Sequence, residues 1–526
     1  MTSLTAALDR EPPTTEPLKT EPPTPRSVRT SQPNTNKHVL VSRLAVASVI
    51  CTPFWLPIVN DWRAWTTGLV VTLGDVPLIG FTLLAGPTTV PAITAQIKES
   101  FGRRKNSTAR RNPELDHRLG QDLETPTDQH RRLDRYVAGL VCFLAALALS
   151  VAVHPDIRGI QTLWRVFAMI CLGEHLIAKR VRSTTIAYSF IAITTFEAIV
   201  ALWQRITHAP VGLGILGESP VPFWEFGANG FAVNGTLPHP YPLAALALIG
   251  GSAALVFGAR KLIDVRVAAL GAFASSLLLG LTISRSGLLS AFGIMLGAAA
   301  SGLLSWRRVR QQGRLGQDRD GQDRDGQGQG RQGQVGQGQV VNRAGYAPLI
   351  RFTLLAVFVA GLAAGMLTSR DAWSNRAATQ KVGSVNDMTS ARGDRFSEGI
   401  GVYKLSPVFG VGPGRYVIEL ARHPELLHSD PADAVPAHNA ALLFLAEGGI
   451  PTALALLALA IVLGRRVFAL GFDGIILLSA VLPFLMLDIV FVSLPSGLFL
   501  LGVWGALVST LGQPAHAQST NETATS

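Results

Sequence analysis

Cysteine is scarce in this chain, with three among 526 residues. Cys51, Cys142 and Cys171 all fall inside apolar runs, so a disulfide framework has no support and each reads as a small core residue. His and Cys never stand at metal-ligand spacing, and neither a His-Glu-x-x-His helix nor a Gly-x-Ser-x-Gly elbow occurs. No metal site and no cofactor is therefore expected. An Asp-x-Asp pair, which would hold a divalent ion for a nucleotide-sugar donor, stands only as Asp318-Arg319-Asp320 and Asp323-Arg324-Asp325. Both lie in a charged repeat and read as linker charges. Residues 1–37 lack the apolar stretch of a cleavable signal; rich in Pro, Thr and charge, they read as a disordered cytoplasmic tail.

Apolar sequence is abundant: hydrophobic residues make up 48% of the chain. Stretches of roughly 17 to 25 apolar residues, long enough to cross a bilayer, number about twelve. They lie near 39–59, 65–85, 136–154, 158–178, 185–203, 241–258, 265–283, 286–305, 348–367, 440–463, 472–492 and 494–511. An open sheet edge in lipid would leave backbone groups unpaired, so the spanning segments must be helical. The expected fold is an all-α polytopic membrane protein of about twelve transmembrane helices, with one long extracytoplasmic loop containing short helices. The expected organisation is a tail (1–37), an N-terminal bundle (38–305) with a charged loop (98–135), and a low-complexity cytoplasmic linker (306–345). C-terminal helices (346–511) carrying the long loop (368–437) follow, and then a disordered tail (512–526).

Basic residues exceed acidic ones, 46 against 35, for a net charge of +11. In a membrane protein basic residues first set orientation, and their placement excludes a nucleic-acid reading. Clusters at Arg103-Arg104-Lys105, Arg110-Arg111, Lys179-Arg180, Arg182, Arg260-Lys261, Arg307-Arg308, Arg310 and Arg465-Arg466 all follow even-numbered spans. They share one side if both termini are cytoplasmic. The linker, with its Gly-Gln-Asp-Arg-Asp repeats, is too polar for a core and reads as a tether. Two large loops then face outwards, 205–240 and 368–437. A connection as long as the second is usually functional or disordered. Within it Phe396, Ile400, Val402, Tyr403 and Leu405 have the spacing of an interfacial amphipathic helix.

Three polar motifs converge on that outer side. Arg285, in Thr282-Ile283-Ser284-Arg285-Ser286-Gly287, stands where two spans meet almost without a loop. A guanidinium near lipid depth needs a partner, and a lipid headgroup or a pyrophosphate suits its bidentate fork. The second motif runs from Arg395 to Tyr416, where Gly410, Gly412 and Gly414 with Pro413 permit tight turns and close approach of a ligand, flanked by Arg395 and Arg415 as anion contacts. No Gly-Lys-Ser/Thr follows, so it is not a phosphate loop of the nucleotide-binding kind. The third is His438 with Asn439 at the start of an apolar run, followed by Glu447-Gly448-Gly449. An imidazole at a membrane surface exchanges a proton near neutral pH. Glu447 lies further along the helix and is expected to point elsewhere, toward another helix.

Taken in order, these motifs resemble the O-antigen ligase and polymerase superfamily of bacterial membrane glycosyltransferases. Asn234-Gly235-Thr236-Leu237-Pro238-His239-Pro240 is similar to that family's Gly-Thr-x-x-His-Pro segment, and the likeness covers about residues 185 to 510. The resemblance implies a multi-pass protein of the bacterial inner membrane that transfers glycan from an undecaprenyl-pyrophosphate carrier to a glycan or lipid acceptor, without metal or nucleotide sugar. It implies that Arg285 and Arg395 bind the pyrophosphate and that His438 activates the acceptor hydroxyl or assists the leaving group. His239 enters the site by the same likeness. The chain departs from the pattern in its N-terminal tail, its two cytoplasmic insertions, and Tyr241 where asparagine is usual. Ligase and polymerase are not separated by these residues. A transporter or flippase would use Asp75, Glu174, Glu197 and Asp488 deep in the bundle, but no repeat relates the two halves. A scaffold or sensor would tolerate single substitutions at Arg285 or His438.

Overall fold

The computed structural model describes residues 35–51, 75–109, 134–219, 223–224, 231–237, 239–322, 337–380, 385–428, 434–488, 490–493 and 495–511. The expected terminal tails, most of the 98–135 loop and the middle of the linker lie outside them. The chain begins with helices α1 (Thr35–Cys51), α2 (Asp75–Ala109), α3 (Arg135–Val153), α4 (Ile157–Ile177) and α5 (Ser183–Thr207). A two-residue antiparallel pair, β1 (Phe223–Trp224) with β2 (Phe231–Ala232), precedes α6 (Pro240–Ala259), α7 (Val265–Leu281), α8 (Arg285–Gln322) and α9 (Gln337–Thr368). Then come α10 (Arg370–Gln380), α11 (Val385–Leu405), α12 (Tyr416–Arg422), α13 (Ala440–Ala469), α14 (Phe472–Leu487), α15 (Val490–Ser493) and α16 (Pro495–Leu511).

Among the described residues seven helices are long and apolar enough to cross a membrane: Asp75–Lys98, Arg135–Val153, Ser183–Thr207, Pro240–Ala259, Arg285–Gln311, Ala347–Thr368 and Ala440–Ala469. About twelve were expected. The apolar helices Val39–Cys51, Val265–Leu281, Phe472–Leu487 and Gly497–Leu511 are shorter over the described residues, and residues 52–59 and 65–74 of the first two expected spans lie outside them. The fifth, α4, carries Arg158, Arg165 and Glu174 within its 21 residues.

α6 is the axis of the bundle. Apolar or small on every side, it is buried over 94% of its spanning window, as expected of a helix with no polar face. Its glycines admit neighbours: a Cβ on Gly250 would strike Thr194, and one on Gly258 would strike Ala268. α7 and α9 cross backbone to backbone, since added Cβ atoms on Gly361 and Gly365 would meet the carbonyls of Phe273 and Leu277. Such small-x-x-x-small contacts replace the hydrophobic effect as the source of helix association in lipid. α8 lies antiparallel to α14, with Gly293 against Ser479 and Gly297 against Ile475 and Ile476.

One end of the bundle is stitched by ion pairs around buried Asp473 and half-buried Asp134. Asp473 at the start of α14 accepts from Arg260 at 2.8 Å and from Arg351 at 2.6 Å. Arg466 donates to both oxygens of Asp134, at 2.7 and 2.6 Å. Arg260 and Arg466 belong to the basic clusters used above for orientation, so these arginines also join helices. A pair so placed is destabilising to break, because the remaining partner is left as an uncompensated charge. The opposite end carries the long loop and the motifs.

Candidate active site

The loop joins the bundle through a break in α13. Pro451 has no N–H, so the carbonyl of Glu447, four residues earlier, loses its helical donor. Gly449 at φ 69° and ψ −168° turns the backbone out of the helix at the same point. The glycine-rich segment fills the gap. Val411 N–H donates to the Ala446 carbonyl and Gly412 N–H to the Glu447 carbonyl, both at 2.9 Å, while Ile450 N–H donates to the Pro407 carbonyl at 3.2 Å. Ser150 Oγ of α3 also donates to the Glu447 carbonyl, at 2.9 Å. The irregular backbone is tolerated because its centre, Gly410 to Gly412 against Glu447 to Gly449, is buried in protein and finds partners there.

Gly410 and Gly449 are required by this contact. Both have positive φ, and a Cβ on Gly410 would lie 2.3 Å from the Glu447 backbone, one on Gly449 2.1 Å from the Val408 carbonyl oxygen. On their Cβ sides Gly412 packs on His154 and Arg415, and Gly414 on Arg158. The turn read as a ligand cradle is thus packed against protein on those sides. Arg415 itself donates to Glu419 at 2.5 Å. Glu447 turns its carboxylate to this loop, where it accepts at 3.3 Å from the N–H of Tyr416, the first residue of α12, so it does point toward another helix.

A second, smaller core orders the loop above this junction: Val402, Val411, Tyr416, Val417, Leu420, Ala437, Leu442, Leu443 and Ala446. The expected amphipathic helix is the C-terminal half of α11, with Val402 buried and Phe396 and Leu405 exposed. Gly399 of α11 packs on Leu442 and Ala437, which places α11 across the N-terminal end of α13. Arg395, one turn before Gly399, therefore stands on the side where Ala437 leads into His438. Its Nη1 donates to Glu398 at 3.0 Å; Glu398 is buried and also accepts from His428 N–H at 3.2 Å. His438 is exposed, held between buried Ala437 and Asn439. Asn439 is the N-cap of α13: its Oδ1 accepts from Leu442 N–H at 3.0 Å, and its Nδ2 donates to the Met486 carbonyl at 3.4 Å.

That last contact brings in Arg285. Following the antiparallel pairing of α8 and α14 from Gly297 and Gly293 back to the start of α8 sets Arg285 level with Leu487, beside Met486. Arg285 and His438 thus flank the same end of α14. The turn before Arg285 is tightly held. Ser284 Oγ caps α8 by accepting from Gly287 N–H at 3.0 Å, and Ile283 is buried at φ 56°. A branched side chain in that left-handed region costs about 1–3 kcal/mol and needs surroundings that enforce it. α10 supplies them: Ser369 Oγ and Trp373 Nε1 donate to the Gly280 carbonyl at 2.8 and 3.0 Å, and Arg376 Nη1 donates to the Ile283 carbonyl.

The 234–237 segment is a buried bracket against α5. Thr236 donates to Glu197 through both its N–H and its hydroxyl, and Gln204 exchanges hydrogen bonds with the backbone of Gly235. His239 is the N-cap of α6, where its Nδ1 accepts from Tyr241 N–H at 3.2 Å. Loss of water and the nearby Arg376 guanidinium push the His239 imidazole down to about 3, so it is neutral near pH 7. This is the place of a structural acceptor beside the Arg285 turn. The sequence reading passed over Arg376 and Glu398, and named Glu197 only as an acid that a transporter would use; a buried charge beside a motif leaves no local mark in sequence. Among the described residues no three His, Cys, Asp or Glu side chains gather in a metal-holding group.

Residues 270–457 match the family model described as O-antigen ligase. The matched stretch contains the Arg285, Arg395 and His438 motifs and the broken α13, so the resemblance read from the motifs holds there. The 234–240 segment lies outside it. No curated protein matches the chain.

Proposed function

We propose that this O-antigen ligase-like membrane protein is a glycosyltransferase taking undecaprenyl-pyrophosphate-linked glycan as donor on the outer face of the bacterial cytoplasmic membrane and joining it to a glycan or lipid acceptor. The observation that carries the reading is the gathering of Arg285, Arg395 and His438, distant in sequence, at one end of the bundle. In this reading the five remaining apolar helices also cross the membrane, both termini are cytoplasmic, and the site end faces out.

Arg285 stands in the first turn of a long helix, where the macrodipole already favours an anion. With Arg395 it offsets the charge that builds on the pyrophosphate as the bond from the anomeric carbon to oxygen breaks. The acceptor oxygen attacks that carbon, and His438 takes its proton as general base. The leaving group is undecaprenyl pyrophosphate, and the proton passes from His438 to solvent. Two guanidiniums fill the role that a divalent ion plays in other transferases, with no metal required. Arg415, Asn439 and the glycine turn shape the wall of this site, and His239 supports it from α6.

The experiment is the glycan profile of a deletion strain. Lipid-linked glycan is expected to accumulate while surface glycan is lost: long chains on the carrier mark a ligase, single repeat units a polymerase. An unchanged profile rules the reading out. Within the site, Glu398→Ala is expected to release Arg395 and raise the donor KM about tenfold, the scale of one charged hydrogen bond, with a smaller change in kcat. A KM equal to wild type would show that Arg395 needs no such holding.

A further inference from the structure

The face of α10 that looks into the protein is spent on one turn. Ser369 just before α10, and Trp373 and Arg376 within it, follow one another at helical spacing; the first two reach the Gly280 carbonyl in the last turn of α7, and Arg376 reaches the Ile283 carbonyl between α7 and α8. Arg376 is buried, and its fork does two things at once. Nη1 holds the carbonyl of Ile283, the positive-φ residue two before Arg285, and Nη2 donates to the Tyr241 hydroxyl at 3.2 Å. The turn is thereby tied to the first turn of α6 through a planar group that fixes direction as well as distance. Tyr241, the departure from the usual asparagine, supplies the second anchor.

We propose that Arg376 is a positioning residue that sets the aim of Arg285 at the donor pyrophosphate, through the Ile283 carbonyl and without touching the donor itself. The inference rests on the reading of Arg285 as a pyrophosphate ligand. Pinning Ile283 in its left-handed conformation fixes where α8 begins and so where its first side chain emerges. Releasing it lets the turn relax, and the guanidinium of Arg285 shifts from the place where the pyrophosphate sits.

The test is a double-mutant cycle on the full-length protein in lipid nanodiscs, with undecaprenyl pyrophosphate as the probe and thermal unfolding recorded in parallel. Arg285→Ala is expected to weaken binding on the order of 10- to 100-fold and Arg376→Ala about tenfold, while the double variant binds no worse than Arg285→Ala within about twofold. Arg376→Lys, which keeps the charge and one donor but not the bridge, is expected to fold and to show a smaller loss that also vanishes in the Arg285→Ala background. It decides the matter if Arg376→Ala does not fold. Additive losses would mean that Arg376 binds the donor directly, and a lowered melting temperature with unchanged binding would make it a structural tie; either result overturns the proposal. If Arg285→Ala itself binds like wild type, the pyrophosphate reading of Arg285 fails first, and the positioning role with it.

Discussion

His438→Ala is expected to abolish glycan transfer while leaving the protein folded and able to bind donor. The side chain is exposed, while its neighbours carry core and cap: Ala437 packs on Gly399, and Asn439 caps α13. Removing an exposed imidazole opens no core cavity, and the main cost falls on the chemical step. Loss of a general base is worth about 10²–10⁴ in rate, seen as a fall in kcat with little change in the donor KM. Asn439→Ala gives the contrasting signature. It removes a helix cap and costs about 1 kcal/mol of stability, with activity falling in step with unfolding. Purified His438→Ala that transfers glycan at more than a tenth of the wild-type rate would remove the histidine from the mechanism.

Gly449→Ala is expected to be the most damaging substitution outside the reacting groups. The new Cβ would lie 2.1 Å from the Val408 oxygen and 2.7 Å from the Gly410 nitrogen, in a backbone conformation at φ 69° that L side chains avoid. Both neighbours are backbone atoms held by the hydrogen bonds that bind the turn to α13, so the contact is relieved only by parting the two. The conformational strain alone is about 1–2 kcal/mol, and lost hydrogen bonds of about 1 kcal/mol each add to it. The bundle core around α6 is remote from this junction and is expected to persist. Limited trypsin digestion in nanodiscs should then show faster cleavage at Arg415, with transfer lost. Gly464→Ala, in the same helix and with nothing near its added Cβ, is expected to be neutral or slightly stabilising. Equal digestion rates for Gly449→Ala and wild type would mean that the junction gives way more easily than its geometry implies.

The apolar helices were legible because long apolar runs admit one backbone solution away from water. The expected 158–178, 241–258 and 265–283 meet helices Ile157–Ile177, Pro240–Ala259 and Val265–Leu281. The motif residues stood out for a related reason: an arginine at lipid depth and a histidine at a helix start are costly or reactive, and both call for a cause. What escaped was pairing at a distance. Arg376 sits in a polar stretch where an arginine is unremarkable, and its meaning comes from a carbonyl 93 residues away. Glu447 was expected to point toward another helix, and it does, but which one is not written beside it: the start of α12 lies 31 residues back in the chain. The glycines of the loop suggested room for a ligand. Glycine marks close approach of any backbone, and at Gly410 the approaching backbone is the protein's own.

The junction at α13 also bears on how this protein tolerates change in chain length. Surface connections ordinarily absorb insertions and deletions freely. From Pro407 to Gly412 the chain is a loop in outline, but three of its backbone groups, the Pro407 carbonyl and the amides of Val411 and Gly412, pair with Ile450, Ala446 and Glu447. A single residue gained or lost there puts every pair out of step, as a register slip does in a sheet. Relatives of this protein should therefore vary in the length of the stretch before α11 and between α12 and α13, and keep the spacing from Ser406 to Arg415 fixed.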